Sequence, residues 1–270
     1  MSKTLPRLQP MPLAMQAMRK VPEVTIYFWI IKLLSTAMGE STSDYLVFHI
    51  NPYIAVAIGF IGLIASLVLQ LLVRRYVAWI YWLAVVMVAI FGTMAADVLH
   101  VALHIPYLVS TVFFAIVLAV IFAAWYASEK TLSIHSINTH RRELFYWVTV
   151  MATFALGTAA GDMTASTLGL GYFASGVLFA ILFALPALAY RLVGLNAIVA
   201  FWFAYIITLP FGASFADWFG KTSLGGLGLG DTKVALVLTI LIIGFVGYLT
   251  VTRKDVKGEP SFEPSGRSRG

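Results

Sequence analysis

Residues 147–162 read WVTVMATFALGTAAGD, an apolar stretch that stops on a carboxylate. The same sentence occurs three more times: WIIKLLSTAMGESTSD at 29–44, WLAVVMVAIFGTMAAD at 82–97 and WFAYIITLPFGASFAD at 202–217. In every copy Trp is followed ten residues later by Gly, and Asp comes five residues after that. With 7 Trp and 21 Gly in the chain, chance supplies about 0.01 such triplets, so the recurrence marks an internal repeat.

Composition says what surrounds these copies. The 270 residues are 60% hydrophobic and 11% charged, with a mean hydropathy of +0.90. A soluble domain carries about 25% charged residues, and apolar runs of about twenty residues recur along this chain, as membrane-spanning helices require. The net charge of +6 is not a nucleic-acid footprint, because its location matters more than its sum. Without cysteine there is no disulfide and no thiolate metal site. No nucleophile–base pair and no cofactor motif appears, so the expectation is neither an enzyme nor a cofactor protein. Residues 1–20 hold four basic residues and three prolines but no continuous apolar core, unlike a signal peptide.

Each motif segment is followed by a second apolar run, near 52–73, 106–128, 169–190 and 232–252. The expected fold is an all-α membrane protein of eight transmembrane helices, arranged as four two-helix parallel repeats around a pseudo-symmetric core. Two spans per repeat return the chain to its starting side, so repeats are related by an axis along the membrane normal. The transmembrane domain covers 21–254, with repeats at about 24–75, 77–130, 142–191 and 195–254; a cytoplasmic segment (1–20) precedes it and a disordered, charged tail (255–270) follows. Fifteen of the eighteen basic residues fall before the first span, between a second run and the next motif, or after the last span. The positive-inside rule then puts both termini in the cytoplasm, across a bacterial inner membrane. The motif Trp lies where an interfacial aromatic belt is expected. The Asp follows about 22 Å further along a helix, in the outer third of the bilayer, unless the helix breaks at the glycines and lowers it.

Gly with small neighbours is ordinary helix-packing grammar, and a terminal Asp can cap a turn. Packing does not require the acid, however, and a carboxylate near hydrocarbon costs several kcal/mol unless it is paired, protonated or wet. Asp44, Asp97, Asp162 and Asp217, repeated around an axis, need a cation, protons or basic partners among them. The first copy adds Glu40 directly after its Gly, and Lys32 eight residues before Glu40. Lys32 is too deep to snorkel from an upright helix, so it is expected to pair with Glu40, Asp44 or an acid on a neighbouring helix.

The second copy continues DVLHVALH, and a persisting helix would place Asp97, His100 and His104 on one face, a spacing that suits a transition metal. The glycine-rich entries LGLG at 168–171 and LGGLGLGD at 224–231 lack a phosphate-loop signature and read as turns or close packing points, with Asp231 capping the last helix.

On motifs such as KLLSTAMGESTSD and ELFYWVTVMATFALGTAAGD, residues 24–252 resemble a family of bacterial integral membrane proteins defined by an internal repeat of unknown function, often labelled membrane-anchored proteins. The resemblance implies a multi-pass cytoplasmic-membrane protein and transfers no site residue. The residues themselves point to a transporter, in the exporting direction, of a divalent metal ion of the Mn²⁺ kind. Its site is built from Glu40, Asp44, Asp97, Asp162 and Asp217, joined by His100 and His104, with Lys32 as charge partner and proton exchange as coupling. A carrier of a small organic cation and a non-transporting membrane scaffold or sensor remain alternatives. Partners are the lipid bilayer and the cation; oligomeric state is not legible.

Overall fold

The computed structural model describes residues 19–101 and 103–256. Among them run eight long helices and no strand: α1 Ile26–His49, α2 Pro52–Leu72, α3 Ala78–Val101, α4 Tyr107–Glu129, α5 His140–Asp162, α6 Gly171–Val193, α7 Ala197–Gly220 and α8 Asp231–Thr252. Seven are long and apolar enough to cross a membrane; α1, which carries Lys32, Glu40 and Asp44, is not among them. Starts are written locally. Asn51 and Asn196 accept from the backbone N–H of Tyr53 and Ile198, and Pro52 occupies the first turn of α2, where a missing N–H costs nothing.

The four motif helices close a ring: α1 packs on α3, α3 on α5, α5 on α7 and α7 on α1. The helices after them lie outside, each mainly on the motif helix of the next hairpin, with α2 on α3, α4 on α5, α6 on α7 and α8 on α1. Burial follows this order. In α3, α5 and α7, 50–67% of the most apolar stretch is buried, against 17–28% in α2, α4, α6 and α8. An outer helix that is apolar all round needs a non-aqueous neighbour.

The motif glycines explain how the ring closes. A Cβ on Gly39 would lie 2.4 Å from that of Ala89, one on Gly92 2.6 Å from Phe154, one on Gly157 2.3 Å from Leu209, and one on Gly212 2.0 Å from Thr36 Oγ1. Each contacted residue sits three positions before the next copy's glycine, and the last contact returns to the first helix. Close backbone approach of this kind is the reason for Gly. Because the helices run unbroken through these glycines, the alternative of a break there does not hold; an irregularity follows Asp162, where Met163–Thr167 forms a π-turn.

A second cycle lies one end away. The residue before each motif Trp is aromatic, and each pair is T-shaped or nearly so, with centroids 5.1–5.2 Å apart (Phe28–Trp29, Tyr81–Trp82, Tyr146–Trp147, Phe201–Trp202). Phe28 meets Trp82, Tyr81 meets Trp147, Tyr146 meets Trp202 and Phe201 meets Trp29, at 5.6–6.3 Å. Trp82, Trp147 and Trp202 are therefore buried, packed around the ring at the level where the sequence placed an aromatic belt.

The segments flanking the bundle pack against this end. Buried Lys20 pairs with buried Glu143, which also accepts from Gln70 Nε2 at 3.1 Å. Residues 1–18 and 257–270 of the expected N-terminal segment and tail lie outside the described residues. Asp255, placed in the tail by sequence, is buried and accepts from Tyr76.

Candidate cation site

Past the glycine level, the residue after the motif Gly is polar in the first three copies (Glu40, Thr93, Thr158) and Ala213 in the fourth. Thr93 donates to Glu40 Oε2 at 3.1 Å and lies 3.2 Å from Thr158, so three equivalent positions are linked by hydroxyls and a carboxylate. One turn further, α1 and α7 bring Glu40, Asp44 and Asp217 together: one carboxylate oxygen of each lies within 4.8 Å of the others, and all three residues are buried. Asp97 and Asp162 stand outside this trio and are only half-buried, but they are close enough to interact electrostatically with Asp44.

The cation present among these acids is Lys221, the residue after α7. Its Nζ lies 2.8 Å from Asp44 Oδ2 and 2.7 Å from Asp217 Oδ1, with the Tyr172 ring centroid 5.7 Å away. Burial opposes its charge, yet Asp217, Asp44 and Glu40 hold the ammonium well above the ordinary lysine range. Sequence reasoning passed over Lys221, although an Asp four residues before a Lys at a helix end is a legible pair.

Lys32 is not the acids' partner, contrary to expectation. It is fully buried, its Nζ has no hydrogen-bond partner, and it sits 3.9 Å from the centroid of Phe154 and 4.4 Å from that of Tyr205. Those rings belong to α5 and α7, and among the described residues their faces are the partners of the Lys32 Nζ. The two-turn separation from Glu40 along one helix keeps the pair from meeting.

The histidines also depart from the reading. Helix α3 ends at Val101, and His104 is exposed with φ +52°, so it cannot share a helical face with His100. His100 spends both ring nitrogens on the following turn, with Nδ1 2.8 Å from the Ile105 carbonyl and Nε2 3.1 Å from Ser110 Oγ. It clasps the α3–α4 connection through both contacts.

Asp231 is the first residue of α8, and the cap position is Gly230, at φ +90°. Its Oδ1 is buried without a hydrogen-bond partner and lies 2.2 Å from where a Cβ on Gly220 would be. That carboxylate is thus lodged beside the residue preceding Lys221.

The chain matches the family model for a Repeat of Unknown Function, DUF347, four times over, at residues 27–76, 80–131, 145–194 and 200–255. Neither a curated protein nor a solved structure matches it. Four matched copies cover most of the chain, which therefore belongs to the DUF347 repeat family, the internal-repeat family to which its motifs pointed.

Proposed function

We propose, with membership of the DUF347 repeat family as the premise, that this chain is a membrane transporter whose cargo is a divalent metal cation of the Mn²⁺ type. The observation carrying the proposal is the trio of buried carboxylates on one ring: Asp44 and Asp217 at repeat-equivalent places, and Glu40, which the first copy alone adds. An all-oxygen set of this kind suits a hard or borderline ion. Asp97 and Asp162 complete the negative field at the rim, and Lys221 takes the role of internal counter-charge first assigned to Lys32.

In this reading all eight helices span the bilayer, including α1, and the four hairpins are parallel repeats about an axis along the membrane normal. The two cycles of contact support it, since the glycine level and the aromatic level pair the same helices in the same order. The basic residues orient the aromatic end toward the cytoplasm of an inner membrane. That end of the ring is filled by aromatic side chains and Lys32, so the acids communicate with the opposite side. Export coupled to protons moving the other way on the carboxylates is the assigned direction, and no catalytic step is involved.

A small organic cation is the second reading, favoured by one contact: the primary ammonium of Lys221 already lies between Asp44 and Asp217 near an aromatic ring. Proteoliposomes loaded with a Mn²⁺-quenched dye separate the two. Mn²⁺ flux that is lost in Asp217→Asn supports the metal; flux of methylammonium but not Mn²⁺ transfers the site to the organic cation. Equal flux through wild type and Asp217→Asn would remove the carboxylate site from the account.

A further inference from the structure

The glycine-rich loop between α7 and α8 is unused by the reading above, and its geometry gives it a task. Backbone N–H groups of residues 227–230 donate to carbonyls at the end of α7: Leu227 to Trp218 at 2.6 Å, Gly228 to Lys221 at 3.0 Å, Leu229 to Phe219 at 2.9 Å and Gly230 to Gly220 at 3.0 Å. Gly226 lies so close beneath that a Cβ there would meet the Lys221 carbonyl at 2.0 Å. The loop is therefore laced to the helix end, and the backbone of Lys221 is fixed from two sides. Its side chain is a different matter, being a flexible four-carbon stem with a point charge at its tip.

Two sets of acceptors flank that tip. Asp44 and Asp217 hold it now. The lacing brings Asp231 against Gly220, with one carboxylate oxygen buried and unpartnered, and with Lys221 and Asp44 among the charges that act on it. A buried acceptor left unsatisfied is costly, and the flexible ammonium of Lys221, the residue after Gly220, is among the charges that favour this carboxylate.

We infer that Lys221 is a tethered competitor for the acid site, and that Asp231 receives its ammonium when a cation takes Asp44 and Asp217. The inference rests on the cation reading and adds a residue and an exchange to it. Cargo does not enter an empty site; it displaces an ammonium that has somewhere to go. Apparent cargo affinity is then set by the difference between two lysine positions, and Asp231 tunes that difference without touching cargo.

The test is a double-mutant cycle on the full-length purified chain, with Mn²⁺ alone as probe and free Mn²⁺ read by its electron paramagnetic resonance amplitude. Lys221→Met binds Mn²⁺ about tenfold or more tightly than wild type, because the competitor is gone. Asp231→Asn weakens binding about threefold when Lys221 is present and leaves it unchanged in the Lys221→Met background. Equal weakening in both backgrounds, or weaker binding by Lys221→Met, overturns the exchange. A metal-free measurement keeps the two proposals separable. In a chain carrying Asp44→Asn and Asp217→Asn, Lys221 has lost both ion-pair partners and leans more on Asp231, so adding Asp231→Asn lowers the melting temperature about twice as far as it does with both acids intact. Equal melting shifts overturn the exchange. Absence of Mn²⁺ binding by wild type overturns the metal reading instead, while the melting comparison still judges Lys221 and Asp231.

Discussion

At the seam between α7 and α1, Glu40, Asp44 and Asp217 are buried together and Lys221 bridges two of them. At the seam between α3 and α5, the equivalent Asp97 and Asp162 are half-buried and make no ion pair among the described residues. The packing beneath the two seams is nevertheless the same, with Gly212 against Thr36 in one and Gly92 against Phe154 in the other. The ring is thus symmetric where it is held together and asymmetric where it carries charge. Packing fixes what every repeat must keep; two differences between copies, Glu40 and Lys221, concentrate the charge at one seam.

The largest effect is expected to ignore the difference between the seams. Gly92→Leu and Gly212→Leu each force a side chain into a helix contact that has no room, costing about 3 kcal/mol or more. Both variants should lose the monodisperse size-exclusion peak in detergent to a similar degree; survival of one alone would break the symmetry of the ring. The next effect separates the seams. Asp217→Asn should weaken Mn²⁺ binding about tenfold, or about 1.4 kcal/mol, and Asp162→Asn about threefold, as measured by titration on the purified chain. Equal losses would mean that the four acids act alike and that Lys221 confers nothing.

Lys32→Met is a smaller change with the opposite sign. Replacing a buried amino group that has no hydrogen-bond partner among the described residues with an apolar side chain of similar length should raise thermal stability by about 1 kcal/mol, without altering Mn²⁺ affinity, since Lys32 does not touch the acids. A drop in affinity would restore Lys32 to the site. His100→Ala should lower stability by about 1 kcal/mol through the lost clasp on Ile105 and Ser110, and leave metal binding as it was.

Much of the fold was legible because the repeat spacing is rigid. A helix fixes the distance from Trp to Gly to Asp, so residues separated by constant intervals reappear at constant heights on the ring. The helices after each motif were legible for the plainer reason that they are apolar throughout. The site was legible only in part. Glu40, Asp44 and Asp217 followed from the motif, but Lys32 was assigned to the acids because sequence shows what lies along its own helix and not the rings of Phe154 and Tyr205 that face it from two others. His104 was misplaced because helical spacing was extended past Val101, where the chain turns. Lys221 and Asp231 break the pattern, since they occur in the fourth copy alone: Lys221 was passed over, Asp231 was read as a cap of the last helix, and the glycines between them, read as turns or close packing points, are laced to the helix end.

The most direct measurement is the position of Mn²⁺ in the protein, located by anomalous scattering at the manganese edge. A single peak coordinated by Glu40, Asp44 and Asp217, with the Lys221 ammonium turned away from Asp44, is the predicted result. Peaks only at surface carboxylates, with Lys221 still seated between Asp44 and Asp217 at saturating Mn²⁺, would contradict it.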